Sequence, residues 1–128
     1  TKYQSMKHHK KTRTLGREKG QRVALLRSLA RSLFISEKIT TTVARAKELR
    51  PFVERLISAS KENTAVSRRI VSSRMGGARD AVLKLHETIA PRFKERIGGY
   101  TRIVRLGRVG KRAIESARIE LLSADEGK

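Results

Sequence analysis

The sequence predicts an α+β fold: several helices packed on a small, mostly antiparallel or mixed sheet, with a basic extended N-terminal arm. Three observations predict it. Apolar residues recur at helical spacing from about residue 20 to residue 90, the period drops to two after residue 100, and residues 1–19 show no apolar period. At 128 residues the chain is long enough for one domain with an ordinary core. We divide it into an arm (1–19), a globular α+β part (20–122) and a frayed tail (123–128).

The arm, TKYQSMKHHKKTRTLGREK, cannot bury enough apolar surface to offset the entropy of ordering, so alone in water it should be disordered. From Gly20 the pattern changes. In QRVALLRSLARSLF, Val23, Leu26, Ala30 and Leu33 form a stripe that Leu25, Leu29 and Phe34 widen, while Arg22, Arg27 and Arg31 lie off it. That is an amphipathic helix with a cationic remainder. SEKITTT, short and β-branched, reads as a strand. VARAKELRPFVERLISAS keeps a helical period through Ala46, Leu49, Val53 and Leu56, and Pro51 predicts a kink or a restart there. Asn63 can cap a third helix, TAVSRRIVSSRM, which Gly76-Gly77 would end. A fourth, ARDAVLKLHETIA, places Val82, Leu85 and Ile89 on one side, and Pro91 closes it or opens another short turn before Gly98-Gly99.

Two strands follow. GGYTRIVRLGRVG is β-branched yet cationic; strict alternation puts Arg102 and Arg108 on one face and Arg105 on the other. AIESARIELL sets Ala117, Ile119 and Leu121 against Ser116, Arg118 and Glu120, a half-buried strand. The link LGRVGKR, with Gly107 and Gly110, suits a hairpin loop.

Charge decides the partner class. Lys and Arg number 31 against 12 Asp and Glu, a formal net charge of +19. So cationic a chain repels itself unless a polyanion neutralises it, and nucleic acid is the leading candidate. Residues 1–31 hold ten basic residues and one acid, residues 92–118 hold nine and two, and the stretch between is more balanced. Two basic poles therefore flank an ordinary helical middle. Two Tyr, three Phe and no Trp leave few rings for stacking unpaired bases, which favours binding through phosphates and helix shape. The membrane alternative is weak, because no apolar run approaches the roughly 20 residues needed to span a bilayer.

Enzymatic and metal chemistry find no foothold. Cysteine is absent, and two of the three histidines, His8 and His9, are neighbours in the cationic arm, with His86 on the fourth helix. No nucleophile has an adjacent base, and no paired carboxylates suggest acid–base work. Glu48 and Glu54 sit among basic residues, where Glu54 can pair with Arg50 four positions away. GRVGKR lacks the spacing and the hydroxyl residue of a phosphate-binding loop. No catalytic group, metal or cofactor is expected.

The arginines Arg22, Arg27 and Arg31 continue directly from the basic arm, which would make one electropositive track, and the arginine fork suits phosphate bidentately. A merely solvated helix face is the plain alternative. Three blocks then carry a resemblance: MKHHKKTRTLGR (6–17), TTTVARAKELR (40–50), and RIGGYTRIVRLGRVG (96–110) closing on ARIELL (117–122). In this order they resemble the L17 family of bacterial large-subunit ribosomal proteins, from about Met6 to Leu122.

The resemblance implies helices on a small sheet, a basic arm running into large-subunit RNA near the peptide exit side, and no catalysis. Matched by position, it assigns RNA contacts to Lys7, His8, Lys10, Arg13 and Arg17, and to Tyr100, Arg102 and Arg105. Lys11, Arg22, Arg27, Arg108 and Lys111 complete the expected set from charge and position. On this expectation the strand is cationic on both faces because one side borders a thin core and the rest meets phosphates, with Tyr100 at the RNA surface. The family usually begins at the methionine matching Met6, and has Arg at Lys7 and His9, Gly at Thr12, and His-Arg at Gln21-Arg22. The expected partners are large-subunit RNA and neighbouring large-subunit proteins, with no membrane and no small-molecule substrate. The expected location is a bacterial ribosome or an organellar one. A free nucleic-acid-binding regulator or compacting protein is the second function class, and a binder of acidic proteins or anionic membrane the third. The regulator is disfavoured because no helix-turn-helix spacing or dimer-forming heptads stand out.

Overall fold

The computed structural model describes residues 18–110 and 114–124. The elements run α1 (Lys19–Ser36), β1 (Lys38–Thr42), α2 (Val43–Ser60), α3 (Ala65–Arg74), α4 (Arg79–Lys84), β2 (Thr101–Val109) and β3 (Ile114–Leu121). The three strands form an antiparallel sheet in the order β1-β3-β2, and the helices pack on one of its faces. This is the α+β fold the two periodicities predict.

The α1 stripe turns inward as expected: Ala30, Leu33 and Phe34 are fully buried, with Leu26 and Leu29 packed against them. Glu37 ends α1 in the left-handed region, and its N–H returns to the Leu33 carbonyl at 2.6 Å. The chain reverses there into β1. Thr42 then caps α2, its hydroxyl accepting from the Arg45 N–H at 3.2 Å. The α2 helix runs on through Pro51 without a restart; the lost amide falls on an exposed position, where water can satisfy the freed carbonyl.

The cap of α3 is Thr64, not Asn63. Thr64 is extended and its hydroxyl accepts from the Ser67 N–H at 3.1 Å, whereas Asn63 sits at φ 51° and forms the turn before it. Both residues can cap, but asparagine also tolerates the left-handed conformation, so it takes the turn and threonine takes the cap. Gly76 and Gly77, both at positive φ, end the segment as predicted.

The fourth helix is shorter than its sequence period. It changes at Leu85–Ile89 into a π-helical turn, where the Ala90 N–H reaches back to the Leu85 carbonyl, and closes with one turn at Ala90–Arg92. The wider turn brings Leu85, His86, Ile89, Ala90 and Phe93 all inward.

The β2 strand extends to Val109, so Gly107 belongs to the strand and the link is shorter than LGRVGKR. A bulge at Leu106 separates the pairs Arg105↔Ala117 and Gly107↔Ser116. Gly107 takes φ 83°, a conformation that a side chain would oppose. The extra residue reverses alternation beyond it. Arg105 pairs with Ala117 and Arg108 with Glu115, so these two share a face and Arg102, opposite Glu120, lies on the other. This corrects the expected grouping of Arg102 with Arg108.

Candidate nucleic-acid interface

The register divides the β2 cations by environment. On the helix-covered face, Leu121, Ile119 and Ala117 are buried, but burial ends before Glu115. Arg105 and Arg108 stand on that face at the end where the cover runs out. Both are exposed, and neither has a hydrogen-bond or ion-pair partner among the described residues. Two uncommitted guanidinium forks a few residues apart suit adjacent phosphates, each able to donate a parallel pair of bonds.

The other face of the sheet carries a largely polar lattice of three rungs that cross all three strands, with the two-strand pair Val109↔Ile114 beyond them. Lys38, Glu120 and Arg102 form the first, Thr40, Arg118 and Val104 the second, Thr42, Ser116 and Gly107 the third. None of these residues is buried, and among the described residues no helix covers this face. Glu120 holds the lattice together: Arg102 donates to its Oε1 through Nε at 2.7 Å and Nη2 at 2.5 Å, and Arg118 Nε reaches its Oε2 at 3.2 Å. The Arg102 hydrogen bond holds the Glu120 carboxyl below the usual carboxylate range, burial opposing and Arg118 assisting. Two cations thus hold one carboxylate, with Lys38 as its strand neighbour on the other side. Lys38 and Arg118 were not singled out from sequence; the alternation of β3 places Arg118 outward, but only the pairing of β1 with β3 brings Lys38 beside it.

Other expected contacts are engaged within the fold. Tyr100 is 1% exposed, stacked at a tilt 5.1 Å from Phe93. Its hydroxyl meets Ser58 and Lys61 and donates toward the Ile97 carbonyl at 3.0 Å. A ring so enclosed is a core residue and cannot stack on RNA, which corrects the surface role expected of it. Arg27 donates from Nε to the Arg74 carbonyl at 3.0 Å and from Nη2 to that of Ser73 at 3.4 Å, capping the end of α3. Arg31 forms a bidentate pair with Asp80 at the start of α4, 3.1 and 2.6 Å. The α1 arginines therefore do not form one free track, because Arg27 and Arg31 are tied to α3 and α4. Arg22 is half-buried. Lys7, His8, Lys10, Lys11, Arg13, Arg17 and Lys111 lie outside the described residues.

Two carboxylates brace the side of the sheet against the helices. Glu37 takes Arg92 at 2.5 Å and Lys84 at 3.3 Å, and the Arg92 hydrogen bond, ahead of its other neighbours, draws its carboxyl below the ordinary range. Glu54 pairs with Arg50 as the spacing predicts, at 3.3 Å, and also accepts from the Gly99 N–H and the Thr101 hydroxyl. This fixes the glycine pair that leads into β2. His86 lines a groove between α3 and α4 rimmed by Arg68 and Arg79. Burial, reinforced by the Arg68 charge, pushes its imidazole down, so it stays neutral near pH 7. Among the described residues no cluster of histidine and carboxylates could hold a metal, and no helix is long and apolar enough to cross a membrane.

Comparison with known proteins adds the decisive observation. A family model described as Ribosomal protein L17 matches residues 25–122. The chain belongs to the ribosomal protein L17 family. Among its relatives, the large ribosomal subunit protein bL17 of Exiguobacterium sp. is 52% identical over 97 residues, 73% of this chain and 83% of that protein. That of Gemmatimonas aurantiaca is 46% identical over 117 residues, covering 91% and 98%. That of Sphingopyxis alaskensis is 41% identical over 122 residues, covering 95% and 87%. The family model spans all four helices and the three strands described above, apart from the first turns of α1. This is a family of structural ribosomal proteins, not of enzymes.

Proposed function

We propose that this chain is a structural constituent of the large ribosomal subunit. It binds large-subunit ribosomal RNA through phosphate and shape contacts near the peptide exit side and steadies the RNA fold there. Membership in the L17 family supports the ribosomal role, and the bacterial relatives favour a bacterial ribosome. The observation that carries the RNA contact is the pair Arg105 and Arg108 at the end of β2, exposed and without a hydrogen-bond or ion-pair partner among the described residues, in a chain of net charge +19. Arg102 adds a third, partly neutralised cation on the other face.

Lys7, His8, Lys10, Lys11, Arg13 and Arg17 of the arm (1–19) extend the contact along the RNA, with Lys111 joining from the β2–β3 link. Arg22 lies where the arm meets the globular part (20–122), and the tail (123–128) has no assigned contact. Neighbouring large-subunit proteins would meet the helical side, where Val66, Ile70 and Leu83 stay exposed. The role needs no cofactor, membrane or small-molecule substrate.

The test is retention. Large subunits assembled with this chain are washed at moderate salt, sedimented and assayed for it. The intact chain stays bound, whereas Arg105→Ala with Arg108→Ala is depleted. Loss should rise with salt, each neutralised phosphate contributing about 0.7–0.9 to the logarithmic slope. A double variant that is retained like the intact chain at every salt would refute the assignment of these two arginines.

A further inference from the structure

We propose that the uncovered face of the sheet seats on an RNA double helix and reads it as A-form across its shallow minor groove. The inference rests on the chain being an RNA binder and specifies what form of RNA the sheet takes. Three features of the lattice support it.

The first is what the face lacks. Its three rungs contain no aromatic ring, so it has nothing on which to stack unpaired bases, the means by which open sheets hold single strands. The second is the placing of charge. Arg102 and Arg118 engage a single carboxylate and Lys38 is its strand neighbour, leaving a cationic surplus at one end, and Glu120 holds the two guanidinium groups in set positions. Charges fixed in this way meet a rigid array of phosphates at little entropic cost. Neighbouring strands lie about 4.8 Å apart, so the three span about 10 Å.

The third is the row of hydroxyls. Thr40, Thr42 and Ser116 occupy the middle and far rungs with short side chains, and Gly107 leaves its corner of the far rung without one. Thr42 accepts from the Arg45 N–H through its oxygen and keeps its hydrogen to donate. Short hydroxyls on a sheet face cannot enter the deep, narrow major groove of A-form RNA. They can reach the wide minor groove, where 2′-hydroxyls both donate and accept. A DNA duplex lacks that partner.

Binding of the full chain is measured by fluorescence anisotropy at one salt concentration against three probes: an RNA duplex of about 16 base pairs, the DNA duplex of the same sequence, and the single-stranded RNA. The RNA duplex should bind about tenfold tighter than either of the others. Thr40→Val with Ser116→Ala should cut that preference to about twofold, and Thr40→Ser should retain it. Melting curves check that each variant is folded; positions 40 and 116 lie outside the buried core. Equal affinity for the two duplexes, tighter binding of the single strand, or an unaltered preference in the double variant would overturn the proposal while leaving RNA binding itself intact. Failure to bind any of the three RNA or DNA probes would overturn both.

Discussion

Two regions of this molecule are rich in arginine and use it in opposite ways. At the corner where α1 meets α3 and α4, Arg27 caps carbonyls and Arg31 holds Asp80. At the far end of β2, Arg105 and Arg108 hold nothing among the described residues. The residue type is the same. What separates them is engagement: a helix C-terminus and a carboxylate are bound at one site, whereas at the sheet end Arg108 stands across from Glu115 without a hydrogen bond or ion pair among the described residues. A basic composition therefore points to a polyanionic partner, but only geometry says which cations are available to it.

The largest expected effect breaks the fold-bound side of that contrast at Tyr100. Tyr100→Ala empties a fully buried site and should cost about 3–5 kcal/mol, visible as a lowered urea midpoint. Tyr100→Phe keeps the ring, loses the hydroxyl bonds and should cost about 1 kcal/mol with RNA affinity unchanged once folded. A weakened RNA complex from the folded phenylalanine variant would restore Tyr100 to the interface.

Gly76 comes next. It stands at φ 66°, and a Cβ built there would lie 3.2 Å from the Arg27 side chain. Gly76→Ala should cost about 1–2 kcal/mol through backbone strain, with a further loss if Arg27 is displaced from its carbonyls. A melting temperature equal to that of the unaltered chain would show that Arg27 does not depend on this turn.

The Glu37 brace has a smaller effect with a pH signature. Its native pKa is depressed, so its contribution is present above the ordinary carboxylate value and lost as pH falls through the native one. Glu37→Gln should cost about 1 kcal/mol at pH 7, the exposed part of the carboxylate being screened, and less at a pH below the ordinary carboxylate range. Denaturation curves at the two pH values check this. An equal cost at both would make the contact one of packing, not charge.

The sequence shows the elements better than their relations. The α1 and α2 stripes and the alternation of Ala117, Ile119 and Leu121 were legible because each period is local and one-sided. The bulge was not legible, since a glycine inside a strand looks like a glycine in a turn until a partner strand fixes the register. Tyr100 between Gly99 and Thr101 carries no period, so its burial comes from non-local packing against Phe93 and α2. The rung of Lys38, Glu120 and Arg102 joins residues from three separated segments, which no local pattern reveals. Arg27 resembled a free cation because its acceptors are carbonyls of residues more than forty positions away.

The central claim, that Arg27 and Arg31 hold the fold through their acceptors while Arg105 and Arg108 at the β2 end hold RNA, is tested most directly by one paired measurement. Arg27→Ala and the double variant Arg105→Ala, Arg108→Ala are compared for melting temperature and for affinity to large-subunit RNA at fixed salt. Arg27→Ala should lose about 1 kcal/mol of stability with affinity nearly unchanged, and the double variant should keep its stability and lose about tenfold or more in affinity. The reverse pattern, or equal losses of both kinds in both variants, would contradict the account.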